Sequence, residues 1–262
     1  FRYNDLASLE VQLERYGSRA AAVILEPCHF DVPAPGFLQG VRELCNRYET
    51  ILIFDEMVTG FRWALAGGQE YFGVVPDLAT FGKSAANGLP IALLCGKKEL
   101  MQHAELVQGG TFGGEVLSMV ACNAVLDVYE QEPVVETLWM RGRQLQKRFN
   151  DAAKSMNIDA LCNGFPCKPR IDFFPFAEPS QGKRDSRRKV LAMSLFLQET
   201  AAQGVLFHPL NCNVSAALSD QDMKVTFHGV EVALRAVATA VKTDDWTTLK
   251  GQPIQPVIPL RG

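Results

Sequence analysis

The chain has 262 residues, with 26 basic against 29 acidic side chains and a net charge of −3, a balance that excludes a nucleic-acid binder driven by a basic patch. Hydrophobic residues make up 47% and charged residues 21%, which is globular composition and excludes disorder and collagen-like repeats. No apolar run approaches the roughly 18 residues a membrane span needs, and no basic segment followed by an apolar one opens the chain as a secretory leader does.

The length suits one large domain or two small ones. Asn4 and Asp5 predict the cap of a helix whose apolar positions are Leu6, Leu9, Leu13 and Tyr16, ended by Gly17. Residues 20–25 (AAAVIL) read as a buried strand. Pro35 then opens a helix at its favoured first turn, with Leu38, Val41, Leu44, Cys45 and Tyr48 facing inward. Residues 51–54 (ILIF) form the next strand. Strand, helix and strand in succession make a βαβ unit of a parallel sheet, whose strands are apolar on both sides because helices cover both faces. Further strands are expected over 78–81 and 91–95, and helices over 97–106, 115–130 and 133–156. The pattern then changes to antiparallel strands over 158–161 and 170–174, a helix over 186–203, a short strand over 205–207 and a last helix over 219–241. That last helix starts on S-D-Q-D, the pattern of a capping box. The organisation is an α/β domain over 1–145 followed by a smaller α+β domain over 146–262.

The seven cysteines, an odd count, contain no C-x-x-C pair, so zinc sites and a disulfide framework are not expected and reduced thiols are. His29, His103, His208 and His228 are scattered and suggest no metal centre. Three segments can carry chemistry. Asp55 and Glu56 end a strand, where ligands gather in open α/β sheets; an acid pair capping the next turn is the plainer reading. Lys83 follows the strand over 78–81 among small residues, Gly82, Ser84, Ala85, Ala86, Asn87 and Gly88, which leave room for a flat ligand. A buried amine there suits Schiff-base chemistry; an exposed one is an ordinary lysine. Gly110-Thr111-Phe112-Gly113-Gly114-Glu115 precedes a helix and offers amides and a hydroxyl to an anion. The Gly82-Lys83-Ser84 triplet is not a phosphate loop, because Asp77 stands where the first glycine is required.

The order and spacing of four motifs carry more than any one of them. These are L-E-P at 25–27, I-F-D-E-M-V-T-G-F-R at 53–62, P-D-L-A-T-F-G-K at 76–83 and G-T-F-G-G-E at 110–115. Together they resemble the class III pyridoxal-phosphate aminotransferases, and the glutamate-1-semialdehyde aminomutase-like branch in particular. G-V-L-F-H-P at 204–209 and S-D-Q-D at 219–222 resemble the same branch. The resemblance implies fold type I, with the later strands of the large-domain sheet followed by a small C-terminal domain. It implies pyridoxal 5'-phosphate as cofactor, a small-molecule amino donor and carbonyl acceptor, and a homodimer with shared active sites; the reduced thiols expected above suit a cytoplasmic protein. Lys83 matches the catalytic lysine that bonds to the cofactor. Asp55 matches the aspartate at the pyridine nitrogen, Met57 the apolar residue on the ring face, and Thr111 the threonine that reaches the phosphate of the neighbouring subunit's cofactor. Asp31 stands near a polar position of the family, and Arg62 is either an anion contact or a structural ion pair.

The Lys83 turn reads S-A-A-N-G-L-P where the aminomutases favour glycines. The family's phosphate-holding turn and stacking aromatic ring precede the matched region. With Phe1 as first residue, the chain is expected to be the C-terminal portion of an enzyme, inactive by itself and with sheet strands left partly uncovered. The alternative is a non-catalytic truncated homologue or partner subunit.

Overall fold

A computed structural model describes residues 1–28, 32–103, 110–175, 182–209 and 212–254. They form two units, Phe1–Val135 and Glu136–Gly262.

In the first unit, the Asp5 carboxylate accepts from Ser8 N at 2.9 Å and starts α1 (Leu6–Tyr16), which buries Leu9 and Leu13. Four strands follow, β1 (Ala22–Leu25), β2 (Ile51–Asp55), β3 (Leu78–Phe81) and β4 (Leu93–Gly96), hydrogen-bonded in chain order. β1, β2 and β3 are parallel, and β4 runs antiparallel to β3. Between β1 and β2 lies α2 (Phe37–Arg47). It begins after Pro35, not on it. Gly36 takes a left-handed φ of +80° as the residue before the helix, and Phe37 N donates to Ala34 O across the turn. The short α3 (Gly68–Phe72), which no periodicity announces, separates β2 from β3. α4 (Lys98–Met101) is shorter than the helix expected over 97–106; residues 104–106 lie outside those described. α5 (Val116–Gln131) closes the unit.

α1 and α2 cover one face of the sheet, burying Val23, Leu25, Leu52 and Phe54 with Phe37, Leu38 and Val41. The expected cover on both faces is incomplete among the described residues. Ile24 is 59% exposed, and Ile51 and Ile53 are half-buried. At the amino-terminal edge of the sheet, Asp77 joins several elements. Its carboxylate accepts from Leu52 N at 2.7 Å and Arg42 Nη1 at 2.8 Å, and meets Lys97 Nζ at 2.6 Å. Burial pushes the Asp77 carboxyl up, but Lys97, the Leu52 amide and Arg42 together outweigh it and hold the group below its ordinary 3.8.

The second unit has its own core. α6 (Val134–Ser155) follows Pro133, and β5 (Ala160–Asn163) pairs antiparallel with β6 (Arg170–Phe173). α7 (Gly182–Ala202) and α8 (Asp220–Thr243) complete the layer. Leu145, Phe149 and Ala153 of α6 meet Ile171 and Phe173 of β6, Leu195 and Phe196 of α7, and Val230, Leu234 and Val237 of α8. The expected capping box is formed: Ser219 N donates to Asp222 Oδ2 at 2.8 Å and Asp222 N donates to Ser219 Oγ at 3.1 Å. The strand expected over 205–207 is not formed. Val205 N instead donates to Thr200 O and finishes α7 behind Gly204 at φ +78°, and Leu206 is 88% exposed. An apolar run becomes a strand only where a neighbour takes up its hydrogen bonds.

All seven cysteines are free thiols. Burial pushes Cys45 up to about 11 and Cys212 up to about 12, so both stay protonated at neutral pH. Among the described residues no helix is long and apolar enough to cross a membrane.

Two tests of this packing follow from single residues. A Cβ on Gly142 would lie 1.6 Å from Pro166 O, a backbone atom that cannot swing away. Gly142→Ala is expected to cost about 3 kcal/mol and lower the melting temperature on the order of 10 °C, measured by calorimetry. Asp77 has a folded pKa below its unfolded one, so its stabilisation is complete above 3.8 and is lost as pH falls through the folded value. Denaturant melts of native chain and Asp77→Asn should therefore differ most at pH 7 and converge near pH 2; an equal gap at both would refute the ion-pair account.

Candidate active site

Parallel strands deliver their carboxyl ends to one edge of a sheet, and residues just beyond those ends face a common space. β1 runs out into Glu26 and Pro27, β2 ends on Asp55, and β3 runs into Gly82 and Lys83. The register sets Asp55 opposite Thr80, and Glu56 N donates to Thr80 O at 2.9 Å. Asp55 and Lys83 therefore come from neighbouring strand ends.

Asp55 is half-buried, and its Oδ1 accepts from Met57 N at 3.0 Å, which folds the chain back after the strand. Met57 lies against the Lys83 turn. A Cβ on Gly82 would stand 2.4 Å from Met57 Cε, 2.9 Å from its Sδ and 3.0 Å from Ile91 O. Only glycine lets the thioether approach the backbone this closely. Lys83 itself takes a left-handed φ of +45°, a conformation that costs a non-glycine residue about 1–3 kcal/mol. The next residues hold it there: Ala85 and Ala86 are buried against Phe61, Phe81 and Cys122 of α5. The Lys83 side chain is exposed, so the buried amine considered from sequence is not what the fold presents.

Glu56 proves to be the buried member of the acid pair, 1% exposed. Its carboxylate accepts from Thr59 Oγ1, from Gly68 N at 2.7 Å and from Gln69 N at 2.7 Å. Burial pushes this carboxyl above its ordinary value, and the three hydrogen bonds offset part of that rise. Sequence reasoning grouped Glu56 with Asp55 as possible turn caps. The available signal was the Glu56-x-x-Thr59 spacing; the amides it binds lie a dozen residues further on, beyond any local pattern.

The remaining candidates separate from this group. Thr111 is exposed in the turns before α5. The first free amides of α5 are not open to an anion, because Glu115 caps them, accepting from Leu117 N at 2.9 Å and Ser118 N at 2.7 Å. Asp31 lies outside the described residues. Arg62 is half-buried near Tyr129, whose phenol burial pushes up and the Arg62 charge pulls down. Tyr129 OH donates to Phe61 O at 2.6 Å, joining α5 to the loop after Asp55.

The close approach at Gly82 is testable. Gly82→Ala is expected to destabilise the fold by about 1–2 kcal/mol through overpacking, and adding Met57→Ala should recover most of the loss in denaturant melts. Simple additivity of the two changes would show that Met57 does not press on Gly82.

Comparison with known proteins gives this geometry a family. The aminotransferase class-III pattern matches residues 3–162. A glutamate-1-semialdehyde 2,1-aminomutase of Syntrophobacter fumaroxidans is 36% identical over 223 residues, 79% of this chain and 49% of that protein. A 3-aminobutyryl-CoA aminotransferase of Cloacimonas acidaminovorans is 36% identical over 181 residues, 66% of this chain and 44% of that protein. Among solved structures, the PLP internal aldimine form of the FumI protein of Sphingopyxis sp. MTA144 superposes with a TM-score of 0.82 at 25% identity, over 93% of this chain and 58% of that one. An omega-transaminase from Sphaerobacter thermophilus shares the fold with a TM-score of 0.76 at 23% identity, over 90% and 57% of the two chains. The chain spans about half the length of the curated relatives it matches. With the family pattern matching residues 3–162, the chain belongs to the aminotransferase class-III family, in the fold of the PLP-dependent transaminases.

Proposed function

We propose that this chain carries the catalytic lysine and the ring contacts of a pyridoxal-phosphate enzyme that moves an amino group between small molecules, as an aminotransferase or an aminomutase. The observation that supports it is the placement of Lys83, Asp55 and Met57 at adjacent ends of β2 and β3, with Met57 pressed on Gly82. That set fits the cofactor: a primary amine for its aldehyde, an anion for its ring nitrogen and a soft apolar group for its flat face.

Bound pyridoxal phosphate supplies an electron sink for the pair left on the substrate carbon when its proton departs. Lys83 Nζ would hold the cofactor through its aldehyde carbon, with release of water, and its exposure leaves it open to an incoming substrate amine. The amine of Lys83, once free, would be the base that takes the proton from the substrate carbon and the acid that returns it to a neighbouring one. An Asp55 carboxylate oxygen would keep a proton at the ring nitrogen, and Met57 would cover the flat face of the ring against water. Thr111 serves the phosphate of the cofactor bound mainly by a second copy, in a cytoplasmic homodimer with shared sites. In support of such an interface, Phe112, Val116, Leu117 and Val120 are each 60% exposed or more, an apolar patch at the start of α5. The other reading, a non-catalytic homologue or partner subunit, is favoured only by the solvent access of Lys83.

The test is borohydride reduction of the intact protein with pyridoxal phosphate, followed by peptide mass mapping. The pyridoxyl group is expected on Lys83. A label on Lys97 or Lys98 with Lys83 unmodified refutes the assignment, and no stable label anywhere supports the non-catalytic reading.

A further inference from the structure

We propose that Glu56 is the positioning residue of this site, the group that fixes Asp55 and Met57 against the Gly82–Lys83 turn. The inference rests on the functional reading above and deepens it. Glu56 sits between Asp55 and Met57 in the chain, so any rotation of its backbone displaces both. Five contacts prevent that rotation. Its N–H donates to Thr80 O, and its carbonyl accepts from Gly60 N at 2.8 Å. Its Oε2 accepts from Thr59 Oγ1 and Gly68 N, and its Oε1 from Gln69 N.

The surroundings are built to admit this one side chain. A Cβ on Gly67 would lie 2.2 Å from Glu56 Oε2, and Gly67 takes φ +83° besides. A Cβ on Gly68 would lie 2.6 Å from Pro27 Cγ, so the segment beyond β1 closes on the amides that Glu56 binds. Each of these three donors points at an oxygen. An ionised carboxylate is acceptor-only and answers all of them, whereas the amide of glutamine turns an N–H toward another donor. A carboxylate held by three donors on both of its oxygens, buried among backbone amides, has little freedom to turn. Through that geometry the ends of β1, β2 and β3 are locked in one frame, and the ring contacts are set before any ligand arrives.

The experiment uses the intact protein with pyridoxal phosphate, reading the dissociation constant and the wavelength of the visible band of the bound cofactor. Glu56→Ala and Glu56→Gln should each weaken binding on the order of tenfold and displace the band. Thr59→Ser keeps the hydroxyl and should match the native protein; Thr59→Val should weaken binding about fivefold. Asp77→Asn, at the opposite edge of the sheet, should lower the melting temperature and leave both cofactor readings unchanged. Should Glu56→Ala fail to fold, Thr59→Val against Thr59→Ser carries the test. The proposal is overturned if the Glu56 and Thr59→Val variants lose melting temperature with native affinity and band, or if Asp77→Asn moves the cofactor readings as much as they do. A native protein that takes up no pyridoxal phosphate instead removes the functional reading, and this proposal with it.

Discussion

A carboxylate removed from water must find donors for its oxygens or give up its charge. Glu56 finds them in Thr59, Gly68 and Gln69, and the carboxyl edge of the sheet is arranged around that requirement. The chain leaves β2, turns back through Gly60 and returns at Gly67 so that two amides meet one side chain. Gly67 and Gly68 are glycines because a Cβ at either would strike Glu56 or Pro27. The ends of three strands converge there, and Asp55, Met57 and Lys83 occupy the rim of the same convergence.

The opposite edge of the sheet has an anchor of the same kind with the reverse electrostatics. Asp77 receives Arg42, Lys97 and the Leu52 amide, so its charge is compensated and its pKa falls. Glu56 has no cation among its hydrogen-bond partners, and its pKa rises. One acid thus holds strands and helices through ion pairs. The other does so through neutral donors.

The two units differ in how fully they cover their apolar surface. The second encloses a core with Phe149, Phe196, Leu195 and Leu234 essentially inaccessible. The first buries one sheet face well and leaves Ile24, Leu94 and the leading residues of α5 open. Covering apolar area of that kind is favourable, since each buried CH₂ contributes about 0.8 kcal/mol. The same physics underlies the proposed homodimer.

Local patterns gave the order of elements and the motif positions, because periods of 2 and 3.6 residues and capping chemistry act over short distances. The helix led by Asp5, the strands at ILIF and LATF and the Ser219–Asp222 capping box are legible that way, as is the class-III motif order. Five features are not. Pro35 stays outside α2 because Gly36 takes the left-handed position. Residues 205–207 finish a helix because no strand among the described residues lies beside them. β4 runs antiparallel, which its composition does not reveal. Lys83 stands exposed, although small residues surround it in sequence. The division between Asp55 and Glu56 is the sharpest case. Adjacent acids on one strand end are chemically alike in a sequence, and which is buried depends on amides twelve and thirteen residues away reaching one of them. Sequence by itself determined the family and the residues available to the site. Tertiary structure alone decided which acid holds the frame and which faces the rim, because hydrogen-bond satisfaction is settled by neighbours in space.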